Sequence, residues 1–116
     1  MGNYQNLIVW KKSIQLIKLV YGVIDQLPDR EKYSLCSQMQ RAVTSIALNI
    51  GEGYARGSDK ELRHFLRIAK GSAAEVEVQL VICLELGYLK LEQVDEALHL
   101  CDEIKRMLYS FIKKIG

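Results

Sequence analysis

The sequence predicts an all-α fold, an antiparallel up-down-up-down four-helix bundle, and three observations predict it. Apolar residues recur every three or four positions in four separate segments, and nowhere does a strand-like alternation persist. Pro28, Gly57 and Gly87 punctuate the chain between those segments. At 116 residues, 49% of them hydrophobic and 26% charged, the chain can build one core but not separate binding and catalytic domains, so residues 1–116 are expected to form a single domain. Helices of about 20 to 30 residues joined by tight turns return antiparallel, which gives the bundle.

The first helix is predicted over about Leu7 to Leu27. Its stripe is Trp10, Ile14, Ile17, Tyr21 and Ile24, widened by Val9, Leu16, Val20 and Val23, and Pro28 stops it. The second begins between Arg30 and Leu35 and runs to about Ala55. Its inward face is Leu35, Met39, Ala42, Val43, Ile46, Ile50 and Gly53, and Gly57 breaks it. Ser58-Asp59-Lys60-Glu61 reads as a capping box that opens the third helix, with the Ser58 hydroxyl accepting the Glu61 amide and the Glu61 carboxylate reaching back. From there Leu62, Phe65, Leu66, Ala69, Ala73, Val76, Leu80, Cys83 and Leu84 carry the stripe to Gly87, a natural carboxy-terminal cap. Leu91 to Lys114 is the fourth helix. Its core face is Val94, Ala97, Leu98, Cys101, Ile104, Leu108, Phe111 and Ile112, and Lys113 and Lys114 sit near the negative end of its dipole.

Composition excludes several classes of protein. Eight Gly and one Pro in a half-apolar chain rule out a disordered or collagen-like one. A formal charge of +2 is too small to mark the whole chain as nucleic-acid binding, so any basic signal is local. Cys36, Cys83 and Cys101 are an odd number, widely spaced and without a zinc-type cluster, which predicts reduced thiols. No uncharged run approaches the roughly 20 apolar residues of a membrane helix, and MGNYQNLIVWKK lacks the pattern of a secretory signal. Asn6 stands where myristoylation after Met1-Gly2 needs Ser or Thr. A cytoplasmic protein without membrane contact is expected.

Catalytic and metal chemistry find no footing in the motifs. GEGYARG is neither a dinucleotide-binding nor a P-loop pattern, and it follows a helix where those motifs follow a strand. Glu61-Leu62-Arg63-His64 and Glu96-Ala97-Leu98-His99 have the Glu-x-x-His spacing of a di-iron bundle. Both fail on facing. At about 100° per residue, Glu61 lies roughly 100° and His64 about 160° from Leu62, and Glu96 and His99 diverge similarly from Leu98. No metal, no cofactor and no enzymatic activity are expected, and the core-facing Cys83 and Cys101 read as small buried hydrophobes.

Two patterned faces remain. Lys60, Arg63, Arg67 and Lys70, at spacings of three, four and three, form a basic strip over about 15 Å of the third helix, and Arg56 extends it. Such a row suits a phosphate backbone, which draws Lys and Arg by Coulomb force and counterion release. A solubilising face is the alternative, and assembly into a ring would multiply the strip through effective concentration. Residues 1–70 carry eleven Lys and Arg against six Asp and Glu, residues 71–116 five against eight, so the near-neutral total conceals a dipolar molecule. On the second helix Gln38, Arg41, Ser45, Asn49 and Glu52 form a polar seam, expected to be an oligomer interface or a buried network. Gly71-Ser72-Ala73-Ala74 is expected to permit close approach of another helix.

At these residues the chain resembles a known family. LIVWKKS (residues 7–13), SQMQRAVTSIALNIGEGYARGS (37–58) and KELRHFLRIAKGSAAEVEVQL (60–80) resemble the bacterial four-helix-bundle proteins encoded within intervening sequences of 23S ribosomal RNA genes. The family commonly has Arg where Lys70 stands and a second Arg where Gln40 stands. That family is similar in fold to the accessory proteins of diversity-generating retroelements, pentameric barrels that bind nucleic acid together with a reverse transcriptase. The resemblance implies a non-enzymatic homo-pentamer with a positive surface for RNA or DNA. The phosphate contacts expected are Lys60, Arg63, Arg67 and Lys70, with Arg56 and Arg41. The alternative is a scaffold that binds a partner protein such as a reverse transcriptase without touching nucleic acid.

Overall fold

The structure, a computed structural model, describes residues 3–115. Met1, Gly2 and Gly116, and with them the Met1-Gly2 start weighed for myristoylation, lie outside the described residues. Four helices follow in order: α1 (Ile8–Ile24), α2 (Leu35–Arg56), α3 (Asp59–Glu85) and α4 (Leu91–Lys114). Single 3-10 turns occur at Tyr4–Asn6 and Asp29–Glu31, and among the described residues there is no strand.

Local chemistry explains each boundary. α1 stops before its apolar pattern does, because the Gln26 and Leu27 amides donate to Val23 O and Ile24 O at 3.0 Å and tighten the chain ahead of Pro28. Only Gly57 and Ser58 separate α2 from α3. Gly57 takes φ 85°, a left-handed conformation that a side chain disfavours, and the chain reverses there. Ser58 Oγ then accepts the Glu61 amide at 3.2 Å and caps α3. The Glu61 carboxylate turns away from the reciprocal bond expected of it and meets Arg56 Nη1 at 3.4 Å, where it finds an opposite charge. Gly87, at φ 74°, closes α3, with the Tyr88 amide donating back to Cys83 O at 3.0 Å. The Lys90 amide donates to Gln93 Oε1 at 2.8 Å and opens α4.

Consecutive helices pack against each other, and α4 closes the ring on α1. The diagonal pairs α1/α3 and α2/α4 make no close backbone approach among the described residues. That is the square arrangement of an up-down-up-down bundle, 44 × 24 × 19 Å, in which α2 and α3 share the most extensive contact. One apolar cluster fills it from Val9 and Ile50 at one end to Leu27 and Leu89 at the other. Among the described residues no helix is long and apolar enough to cross a membrane.

The core differs from the predicted stripes in rotation. On α1 the fully enclosed residues are Val9, Ser13, Leu16, Val20 and Val23, while Trp10, Ile14, Ile17 and Ile24 are half-buried and Tyr21 is exposed. The apolar arc of α1 is wide enough for two centres. Contact with both α2 and α4 selects the one between them. Ser13 tolerates complete burial because its hydroxyl donates to Trp10 O at 2.6 Å. Leu100 is buried on α4 and Leu98 only partly, and Cys36 and Ala47 join the α2 core while Leu35 stays half-exposed.

Close helix approach falls at Gly53, not at Gly71. A Cβ at Gly53 would stand 3.0 Å from Leu62 Cδ1 and 3.1 Å from Phe65 Cβ, so this glycine lets α2 and α3 meet beside their turn. Gly71 faces open space, and only Ser72 and Ala73 of its small-residue run are buried.

Candidate nucleic-acid interface

The antiparallel topology gathers four helix termini at one end of the bundle: the starts of α1 and α3 and the ends of α2 and α4. Charge follows this arrangement. The carboxylates of that end are largely engaged: Glu52 and Glu61 by Arg56, Glu103 by Lys12 and Asp102 by Arg106. Among the described residues no carboxylate lies within 4.0 Å of Lys11, Lys60, Arg63, Arg67, Lys70, Lys113 or Lys114. The opposite end carries Asp25, Asp29, Glu31, Glu85, Glu92, Asp95 and Glu96 among fewer bases. There Tyr88 OH donates to Glu31 Oε2 at 2.7 Å, and this bond, with a second from Ser34, holds the Glu31 carboxyl below the usual carboxylate range.

The predicted basic strip runs down α3 toward α4. Lys60 and Arg67 are exposed, and Arg63 and Lys70 are half-buried against the last turns of α4. Arg63 Nη1 donates to Ile115 O at 3.1 Å, satisfying one carbonyl at the α4 terminus. Lys70 Nζ lies 5.1 Å from the centre of the Tyr109 ring, which Lys113 Nζ approaches at 5.2 Å. A groove of about 550 Å³ opens between the two helices, lined by Arg67, Lys70, Gly71, Ala74, Lys105, Tyr109, Ile112 and Lys113.

Sequence reasoning missed the α4 half of this groove. Lys105, Tyr109 and Lys113 recur at four-residue intervals, so one face of α4 alternates base and aromatic, a signal that could have been read. Lys105 is the least available of them, since Glu77 Oε1 lies 2.5 Å from its Nζ. Arg56 is also compromised. Glu52 holds its Nε at 2.8 Å, Glu61 its Nη1, and its guanidinium lies 5.0 Å from the Phe65 ring centre, so it is the expected phosphate contact with the least free charge. Arg41 lies on the α2/α3 seam and not in the α3/α4 groove, and its Nη1 donates to Ser37 Oγ at 3.0 Å.

The polar seam of α2 divides in two. Its inner members form a network within the chain: Asn49 Nδ2 donates to Ser45 O and Ser45 Oγ at 2.8 Å, and Ser72 Oγ of α3 donates to Ser45 Oγ at 2.9 Å. Gln38, Arg41 and Glu52 are exposed. Gln38, Arg41, Ser45, Ser72 and Glu75 rim a shallow polar hollow, and nearby Gln79 is buried with its Oε1 unpaired among the described residues.

The remaining chemistry-bearing groups stand apart. His64 and His99 are exposed, and among the described residues no group of three His, Cys, Asp or Glu is placed to hold a metal ion. All three cysteines are free and buried. Burial pushes the Cys83 thiol up to about 11 and the Cys101 thiol up to about 12, and raises that of Cys36, so all three favour the neutral form.

Fold and groove together define a small helical-bundle protein with one cationic end. The chain belongs to the 23S rRNA-intervening sequence protein family, whose profile matches residues 5–110. It is similar to a solved structure from Bacteroides thetaiotaomicron VPI-5482, described as a protein of unknown function from the S23 ribosomal protein family. The two share 28% sequence identity and a TM-score of 0.84, over 92% of this chain and 96% of that one. Comparison with curated proteins gives no match.

Proposed function

We propose that this chain is a non-enzymatic, homo-oligomeric accessory protein of the cytoplasm that binds RNA or DNA through phosphate contacts from its cationic end. One observation carries the reading: Lys60, Arg63, Arg67 and Lys70 stand in a row without carboxylate partners among the described residues, beside Lys113 across the groove. Each phosphate neutralised by such a side chain releases a condensed counterion, so affinity falls with salt in proportion to the number of contacts. These contacts carry no base-edge readout, and sequence selectivity is low. The test is binding to a structured RNA across a salt series. Neutralising the four α3 cations is expected to weaken binding and flatten the slope of log affinity against log salt, and an unchanged slope overturns the reading.

The pentameric state and the company of a reverse transcriptase come from the resemblance to retroelement accessory proteins and belong to the same proposal. Exposed apolar residues favour a second reading, a scaffold for a partner protein. Val78, Val81, Ile82 and Leu86 form a stripe on the outer face of α3, and Ile8, with the half-buried Leu7, Met107 and Phe111, lines a groove of about 660 Å³ beside α4. Salt-insensitive capture of a reverse transcriptase, with no RNA affinity, distinguishes that scaffold.

A further inference from the structure

We propose that the α3/α4 groove takes a single-stranded stretch of RNA, with one unpaired base stacked on Tyr109 and the adjoining phosphates held by Lys70 and Lys113. The inference rests on the nucleic-acid reading above and names the form of ligand that the same face accepts; RNA is the form named because of the ribosomal RNA link in the family's description.

Phosphate contacts alone leave Tyr109 unexplained. Tyr109 is 52% exposed on a solvated helix face, where a charged residue would serve solubility better. The ring is nevertheless held: Lys70 approaches its centre from α3 at 5.1 Å, and Lys113 from one turn further along α4 at 5.2 Å. Both ammonium groups lie over the ring, so a planar base that takes their place on it leaves them to the phosphates on either side of that base. Every base presents a π-face, so the contact tolerates any sequence.

The floor of the groove has the shape this requires. Gly71 and Ala74 keep the α3 side low, and a side chain built on Gly71 would meet nothing within 4 Å. A glycine in the middle of a long helix costs stability, and among the described residues no packing contact accounts for this one. At about 550 Å³ the hollow admits a base and its ribose, and Arg67 stands where the strand would continue along α3. A duplex keeps its bases stacked on one another, and A-form RNA hides their edges in a narrow groove, so only an unpaired nucleotide can use the ring.

The test uses the full chain and a short unstructured RNA carrying 2-aminopurine, free or annealed to its complement. The single strand is expected to bind more tightly than the duplex and to lose fluorescence on binding. Tyr109→Ala is expected to weaken single-strand binding by about fivefold to a hundredfold and to abolish the quench, with the salt slope unchanged because no charge is lost. Tyr109→Phe is expected to retain both. Since Tyr109 is exposed, circular dichroism melts of the variants report whether the bundle is intact. Equal affinity for duplex and single strand, or wild-type binding by Tyr109→Ala, overturns the stacking proposal. If neutralising Lys60, Arg63 and Arg67 still weakens binding in that case, the phosphate reading stands alone. Absence of binding by RNA and DNA alike, single-stranded or duplex, overturns both, and tighter binding of the DNA strand of the same sequence overturns the assignment to RNA.

Discussion

Gly53 and Gly71 both lie inside helices, yet the space around them is opposite. At Gly53 the nearest atoms are Leu62 Cδ1 and Phe65 Cβ, and the second is fixed to the backbone of α3. An added methyl there forces the helices apart, and overpacking of this kind costs about 1 kcal/mol or more, outweighing the gain in helix propensity. At Gly71 no atom is met, and the methyl brings only the propensity gain of about 0.5–1 kcal/mol. Urea melts are therefore expected to show Gly53→Ala destabilised and Gly71→Ala stabilised; the same sign for both contradicts the assignment of the close approach.

At the scale of the element, α3 carries most of what is distinctive. Its start is fixed by Ser58, whose hydroxyl satisfies the Glu61 amide, with Asp59 and Glu61 placed favourably in the positive first turn. Ser58→Ala is expected to cost about 1 kcal/mol in a thermal or urea melt. Ser58→Asp is expected to keep most of that stability, since a carboxylate caps equally well; comparable losses in both variants exclude the cap as the cause. Beyond the cap, the outer surface of α3 changes character along its length. Lys60, Arg63 and Arg67 occupy the first half, and Val78, Val81, Ile82 and Leu86 the second. The proposed binding and assembly thus fall on separate halves of one rod, so a substitution in either is expected to leave the other intact.

For the whole molecule, axial charge is the observed consequence of the fold and self-association the proposed one. Folding back three times places the basic end of α4 beside the basic start of α3 and collects acidic residues at the other end. The dipole expected between residues 1–70 and 71–116 is therefore realised between the ends of the bundle, so that Lys113 and Lys114 join the cationic end despite their place in the acidic half of the sequence. The apolar stripe on α3 left in water suits a second copy as well as a partner protein, and the proposed homo-oligomer uses it for the copy. Light scattering at several concentrations is expected to give a mass near five chains, and Ile82→Glu a smaller one with unchanged helicity. A monomer at every concentration contradicts self-association.

The sequence by itself determined the four helices, their turns at Pro28, Gly57 and Gly87, the Ser58 cap and the cationic strip on α3. Each depends on residues within a few positions of one another, and there spacing and backbone preference decide. Tertiary structure alone decided which flank of the wide α1 stripe is sealed, that Ser45 meets Ser72, that Glu61 meets Arg56 across the turn, and that Tyr109 lies within reach of Lys70. Ser45–Ser72 and Lys70–Tyr109 join residues 27 and 39 positions apart, and such partners depend on how far neighbouring helices slide and rotate before their side chains interlock. That sliding and rotation is settled by packing the whole core at once, so a periodic pattern read along one helix leaves it free.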